Sequence, residues 1–210
     1  ANPLTEKLTL FWHNHFATSF SKVQSVPHMA AQNDRFRAEA LGSFRELLHA
    51  MAKDVAMLIW LDSNANRKRH ANENFAREVM ELFSLGEGNY TEDDIKQAAR
   101  AFTGWHVRDD KFWFNQRQHD ITSKSLFGKT ANLDGGEVID LCLAHKACAR
   151  FIAFKLLRAF VLDQPTDVHI TALAARLRAH DFAMRPVMRE LLESKLFFGA
   201  AARYARIKEP

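Results

Sequence analysis

Apolar residues return every three or four positions along nearly the whole chain, and that spacing limits the fold more than any motif does. Leu4, Leu8, Phe11 and Trp12 form one stripe. Phe36, Ala40, Leu41, Phe44, Leu47, Leu48 and Met51 form a longer one, and both read as helices separated by turn chemistry around Ser25-Val26-Pro27. Asp54 to Asp62, DVAMLIWLD, reads as a short buried helix. On a wheel of about 100° per residue, NENFAREVMELFSLG puts Glu73, Asn74, Arg77, Glu78, Glu81 and Ser84 on a polar arc. Phe75, Ala76, Val79, Met80, Leu82 and Phe83 fill the other side, with Asn72 placed to cap the start and Gly86 to end the helix. Thr91 and Asp94 have capping-box spacing, which explains the acidic cluster beside them without calcium, since the alternating oxygen ligands of an EF-hand are missing.

From Gly104 to Asn115 the period changes, and WHVRDDKFWFN reads as a hairpin around Asp109-Asp110. Helices resume over Glu137 to His145, Ala147 to Leu162, Asp167 to His180 and Pro186 to about Leu196. The reading is a mainly α, single multi-helix domain over residues 1–210 with one short β-hairpin near residues 105–115.

At 210 residues the chain is long enough to bury a real core without a disulfide scaffold, and it has no run near the roughly 18 apolar residues of a membrane helix. Cys142 and Cys148 lack a second pair for a zinc site and read as small buried hydrophobes. The net charge of +4 comes from basic and acidic residues interspersed along most of the chain. The dense basic run Arg67-Lys68-Arg69-His70 reads as a solvated loop rather than a nucleic-acid patch.

Three constellations could carry chemistry. His13 and His15 in LFWHNHF would leave a helix about 200° apart, so they cannot grip one metal together; His15 falls on the apolar side and needs a buried partner, with Glu73, Glu78 or His119 as candidates. The doublet His119-Asp120 suits a divalent ion, but His180-Asp181 repeats it, so what distinguishes the first is Lys124 close by in the same loop. The arc of Glu73, Arg77, Glu78 and Glu81 is either a set of surface ion pairs or, if covered, a proton-transfer or metal-binding cluster. No Walker loop or serine nucleophile elbow occurs, and nothing points to a named cofactor.

Taken together, FWHNHF, AMLIWLD, NENFAREVMELFSLGEGNYTEDDIKQAARAFTGW, HDITSKSLFG and LAHKACARFIAFKLLRAFV resemble the bacterial domain-of-unknown-function 1800 family, in order and over nearly the whole chain. The resemblance implies that the chain is the central part of a longer domain that has further helices before it and after ARIKEP. It places motif positions on His13, Asn14, His15, Asn72, Glu73, Asn74, Arg77, Glu78, Glu81, Arg100, Trp105, His119, Asp120 and Lys124. Thr122 stands where members usually have glycine, and Lys146 where many have proline. A bacterial envelope or exported setting and a sulfatase-like protein partner are implied by the same resemblance.

The leading expectation is therefore a hydrolase-like, metal-assisted enzyme whose pocket gathers His15, Glu73, Glu78 and His119, with Arg77 and Lys124 as charge partners and His119, Asp120 and Glu73 as ligands of a divalent metal. Its rival is a non-catalytic envelope or scaffold protein in which the same residues form a buried network, with Glu73→Gln or Arg77→Ala costing several kcal/mol. Weak nucleic-acid binding through the basic excess is the third reading.

Overall fold

Helix α1 (Pro3–His15) begins as its sequence demands: Asn2 accepts from Leu4 N and Pro3 occupies the first turn, where a missing N–H costs nothing. The computed structural model describes residues 2–203 and 205. The stretch 206–210, after which the resemblance implies further helices, lies outside the described residues. Trp12 on α1 and Phe16 just after it are fully buried against Phe44 and Phe36, and the Trp12 indole N–H donates to the Ala40 carbonyl at 3.2 Å.

The long stripe from Phe36 to Met51 is not one helix. It divides into α3 (Val26–Ala38) and α4 (Phe44–Ala52), because Ser43 adopts an extended backbone and its side chain caps α4 at Glu46 N. Before α3 lies the short α2 (Phe20–Val23), and after α4 comes α5 (Val55–Trp60), capped by Asp54 on Met57 N. The following helix starts at Asn72 as expected but has two parts, α6 (Glu73–Glu78) and a π-helical turn, Val79–Ser84. The π turn changes the phase of the wheel. Leu82, expected inside, is exposed, whereas Ser84, expected on the polar arc, is fully buried and donates to the Val79 carbonyl at 2.6 Å.

Helix α7 (Glu92–Ala101) carries the full capping box between Thr91 and Asp94. Strands β1 (Trp105–Arg108) and β2 (Lys111–Phe114) form the expected antiparallel hairpin, with Trp105 opposite Phe114 and His106 opposite Trp113. Asp109 and Asp110 both have positive φ, 51° and 57°, the backbone twist that a two-residue hairpin turn requires. A second hairpin, β3 (Lys124–Leu126) with β4 (Lys129–Ala131), was not expected from the sequence; Phe127 and Gly128 form its turn.

Helices α8 (Gly135–Ala144), α9 (Lys146–Phe160) and α10 (Asp167–Ala179) close the core, α9 packing on α10 and on the π turn. The last expected helix divides: α11 (Met184–Leu192) stops, and Ser194 caps a separate α12 (Lys195–Phe198). The fold is mainly α, with two small two-stranded sheets among the described residues. No described helix is long and apolar enough to cross a membrane.

Candidate functional site

His15 ends α1 inside an aromatic cluster of Phe11, Trp12, Phe16, Phe44, Phe83 and Phe151. Its partner is none of the three candidates. Nε2 lies 3.0 Å from the Phe83 carbonyl, which can only accept, so Nε2 carries the hydrogen. This carbonyl belongs to the last turn of the π segment, where main-chain acceptors have no partner within the helix; His15 supplies one. The carbonyls of Met80 and Leu85 at the same helix end are met by Leu85 N and by the Asn89 amide. Nδ1 of His15 is buried with no hydrogen-bond partner among the described residues. Burial, reinforced by the Lys155 ammonium, holds the imidazole well below its ordinary pKa, against the opposing pull of the Phe83 carbonyl.

The Glu73 arc stays near solvent. Arg77 clamps both carboxylate oxygens of Glu92, at 2.9 and 2.8 Å, and reaches Glu73 at 3.5 Å, with all three side chains at least one-third exposed. Glu81 accepts from the Tyr90 hydroxyl at 2.5 Å. Glu78 makes no hydrogen bond among the described residues, and burial plus the neighbouring Glu81 raise its pKa.

The third group is a dense knot between α7 and the loop ahead of β3. The Thr103 hydroxyl donates to the Arg100 carbonyl at 2.6 Å and accepts from Asp120 N at 2.8 Å, while His119 Nδ1 donates to the Thr103 carbonyl at 2.8 Å. Asp120 receives Arg100 Nε at 2.9 Å on one oxygen and the Thr122 N–H and hydroxyl, at 2.9 and 2.6 Å, on the other. These donors hold the Asp120 carboxyl far below the ordinary range, although burial alone would push it up. Thr122, which stands where the family resemblance implies glycine, thus supplies a hydroxyl to the knot. Lys124 is fully buried, and its three N–H bonds match three oxygens: Asp120 O at 2.6 Å, Thr122 O at 3.0 Å and Asn132 Oδ1 at 3.1 Å. Gly104 has φ +83°, and a Cβ there would stand 2.6 Å from Asn115 O and 3.3 Å from His119 Cβ, so only glycine lets the loop close on α7.

The hydrogen bonds therefore place the candidates in three groups rather than one pocket: His15 in the aromatic core, the Glu73 arc at the surface, and His119, Asp120 and Lys124 in the knot. His119, Asp120 and Glu73 do not form one donor set; among the described residues no three His, Cys, Asp or Glu side chains gather as an ion would need. Glu73 meets Arg77, Asp120 meets Arg100 and Thr122, and Lys124 meets two backbone carbonyls and the Asn132 amide oxygen instead. His119 differs in one respect, because with Nδ1 on Thr103 its Nε2 makes no hydrogen bond among the described residues.

Sequence reasoning missed Asn66, which is buried and ties three segments: its amide donates to the Ala99 carbonyl, its Oδ1 accepts from Asn72 N, and its own carbonyl accepts from His106 and Gly104. Thr103 and Asn132 were missed as well, and nothing in their residue type marks them. Cys142 and Cys148 are buried, and burial pushes the Cys142 thiol up to about 12, so they pack as hydrophobes.

Two shallow hollows lie on the β1–β2 hairpin. A shallow hollow of ≈ 270 Å³ is lined by Asn64, Arg67, His106, Trp113, Asn115 and Gln118 among others. A second, of ≈ 410 Å³, is lined by Arg108, Asp109, Lys111, Phe112 and Trp113, so the two adjoin through Arg108 and Trp113.

Comparison with curated proteins and with solved structures returns no match. The sequence profile of a family described as Protein of unknown function (DUF1800) matches residues 1–210, the whole chain. On that whole-length match the chain belongs to the DUF1800 family.

Proposed function

We propose that this domain is a non-catalytic binding module, a helical frame whose polar motifs hold loops and helix ends in place. The observation that carries this reading is the state of Lys124, whose donors all go to oxygens of its own fold. A general acid or base must reach a substrate atom within about 3 Å, and a side chain enclosed by its own network offers no such approach. The same holds for His15, whose one bonded nitrogen caps a helix. A sulfatase-like protein is the partner that the family resemblance adds, and co-purification of the two would test that pairing.

The unbonded Nε2 of His119, on a ring that is otherwise buried, favours a second reading, hydrolysis with His119 as general base, unaided by Glu73 or Glu78. One experiment separates the two. Wild type, His119→Gln and Glu78→Gln are assayed on chromogenic phosphate, sulfate, carboxylate-ester and glycoside substrates, with thermal unfolding measured in parallel. The binding-module reading expects no turnover above buffer in any of the three. Turnover that disappears in His119→Gln at unchanged melting temperature would overturn it.

A further inference from the structure

The basic excess of this chain has an address. Segments 63–72 and 105–118 hold Arg67, Lys68, Arg69, Arg108, Lys111 and Arg117 against Asp109 and Asp110, a net +4 equal to that of the whole chain. The structure joins the two segments: Lys68 N donates to the Gln118 carbonyl at 2.7 Å, and the Asn64 side chain bonds the main chain of Val107. Both carboxylates sit in the hairpin turn, where Asp110 is tied to His28 at 3.1 Å. Among the described residues Lys68, Arg69, Lys111 and Arg117 have no carboxylate within ion-pair distance, Arg67 makes only a long, 3.5 Å contact to the Asn64 carbonyl, and Arg108 alone of the six meets a carboxylate, Asp109 of the turn, in an exposed 3.5 Å pair that a ligand can displace. Five unpaired cations and one weakly paired arginine around a shallow concave surface raise the local concentration of anions.

The shape and the neutral groups narrow the ligand further. Two adjoining hollows across the outer strand face suit an extended molecule rather than a point ion. Asn115 and Gln118 line one of them with amide side chains that make no hydrogen bond among the described residues, and an amide both donates and accepts, as hydroxyl groups require. Nucleic acid fits less well. Arg108 lies over the Trp113 ring at 5.1 Å and His106 is 6.1 Å away, so the indole is not the bare platform on which successive bases stack. A lipid surface fits less well too, since Trp113 and Phe114 point to opposite faces of the strand and make no common apolar wedge.

We propose that the outer face of the β1–β2 hairpin binds an acidic oligosaccharide, with its carboxylate or sulfate groups on Arg67, Arg108 and Lys111 and its hydroxyls on Asn115 and Gln118. This names the ligand surface of the binding-module reading and rests on it. The pairing of planar guanidinium groups with oxyanions supplies attraction and geometry; the amides distinguish a sugar from other polyanions.

The test is calorimetric titration of the 210-residue chain with a sulfated hexasaccharide, a polygalacturonate oligomer, a neutral dextran oligomer and a single-stranded dT12. The acidic sugars should bind and dextran should not. Exposed charges of this kind are each worth about threefold in affinity at low salt, so Arg67→Ala with Arg108→Ala and Lys111→Ala should cost about thirtyfold without lowering the melting temperature. Asn115→Ala with Gln118→Ala should weaken the sugars and leave dT12 unchanged. No binding of either acidic sugar, full binding by the triple variant, or dT12 binding as tightly as the sugars with no effect of the amide variants would each overturn the proposal. Release of reducing ends from a bound oligomer would instead overturn the non-catalytic reading and leave the surface assignment standing.

Discussion

His15→Phe separates the hydrogen-bonding role of the imidazole from its packing role. The substitution removes the Nε2–H bond to Phe83 and leaves that carbonyl without its partner, a loss of about 1–3 kcal/mol. It also removes the buried, unpartnered Nδ1, whose desolvation penalty is of the same order, about 1–3 kcal/mol. A phenyl ring fits the surrounding aromatic cluster, so the net change at pH 7 should be no more than about 1 kcal/mol.

The larger effect is on pH dependence. The native imidazole is held well below its ordinary pKa, whereas the unfolded chain titrates near 6.5. Between those values the unfolded state binds more protons, so the contribution of His15 is fully present above about pH 6.5 and drains away as the pH falls. From pH 7 to pH 5 the loss has a ceiling of about 2 kcal/mol, reached if the native ring takes up no proton over that range. Lys155, whose own pKa is lowered to about 8 by burial, stays charged throughout this window and helps keep the ring neutral. Urea unfolding at pH 7 and pH 5 should therefore show a drop in wild type that exceeds the drop in His15→Phe by up to about 2 kcal/mol. Lys155→Met should shrink the difference. Equal drops in wild type and His15→Phe would refute the argument, because every other titrating group is common to both.

Lys124→Met should lower stability by roughly 3 kcal/mol in urea unfolding, since it strands the Asp120 and Thr122 carbonyls that the ammonium now satisfies. Arg77→Ala, by contrast, should cost less than about 1 kcal/mol in the same assay: its partners Glu73 and Glu92 are exposed and screened, so the several kcal/mol expected for a buried network does not apply. The π turn makes a third prediction, read by melting temperature. Leu82→Glu should leave it nearly unchanged, while Ser84→Leu should cost about 1–3 kcal/mol by forcing carbon into a filled core.

The helices were legible because burial on one face leaves a period of 3.6 in the sequence, and the β1–β2 hairpin because the period shortened around two acids that tolerate positive φ. The same assumption of a constant period hid the π turn and so misplaced Leu82 and Ser84. Phe36 to Met51 kept helical phase across a turn by coincidence of spacing, and only the backbone at Ser43 revealed the break. Strands β3 and β4 are three residues each, too short for alternation to show. At the site, the apolar stripe of α1 correctly turned His15 inward. Its partner was invisible because Phe83 contributes a main-chain carbonyl, which leaves no trace in residue type. Likewise the knot around Lys124 is built largely from backbone oxygens and from Thr103 and Asn132, residues that composition and motif searches pass over.

The central claim is that the motif residues act on one another rather than on a substrate, and a double-mutant cycle between Arg100 and Asp120 tests it most directly. Unfolding free energies of wild type, Arg100→Ala, Asp120→Ala and the double variant should reveal a coupling of about 1 kcal/mol or more, because the two share a 2.9 Å ion pair and the Thr122 hydroxyl. Additivity within about 0.5 kcal/mol would contradict the account and leave these side chains to be explained by chemistry instead.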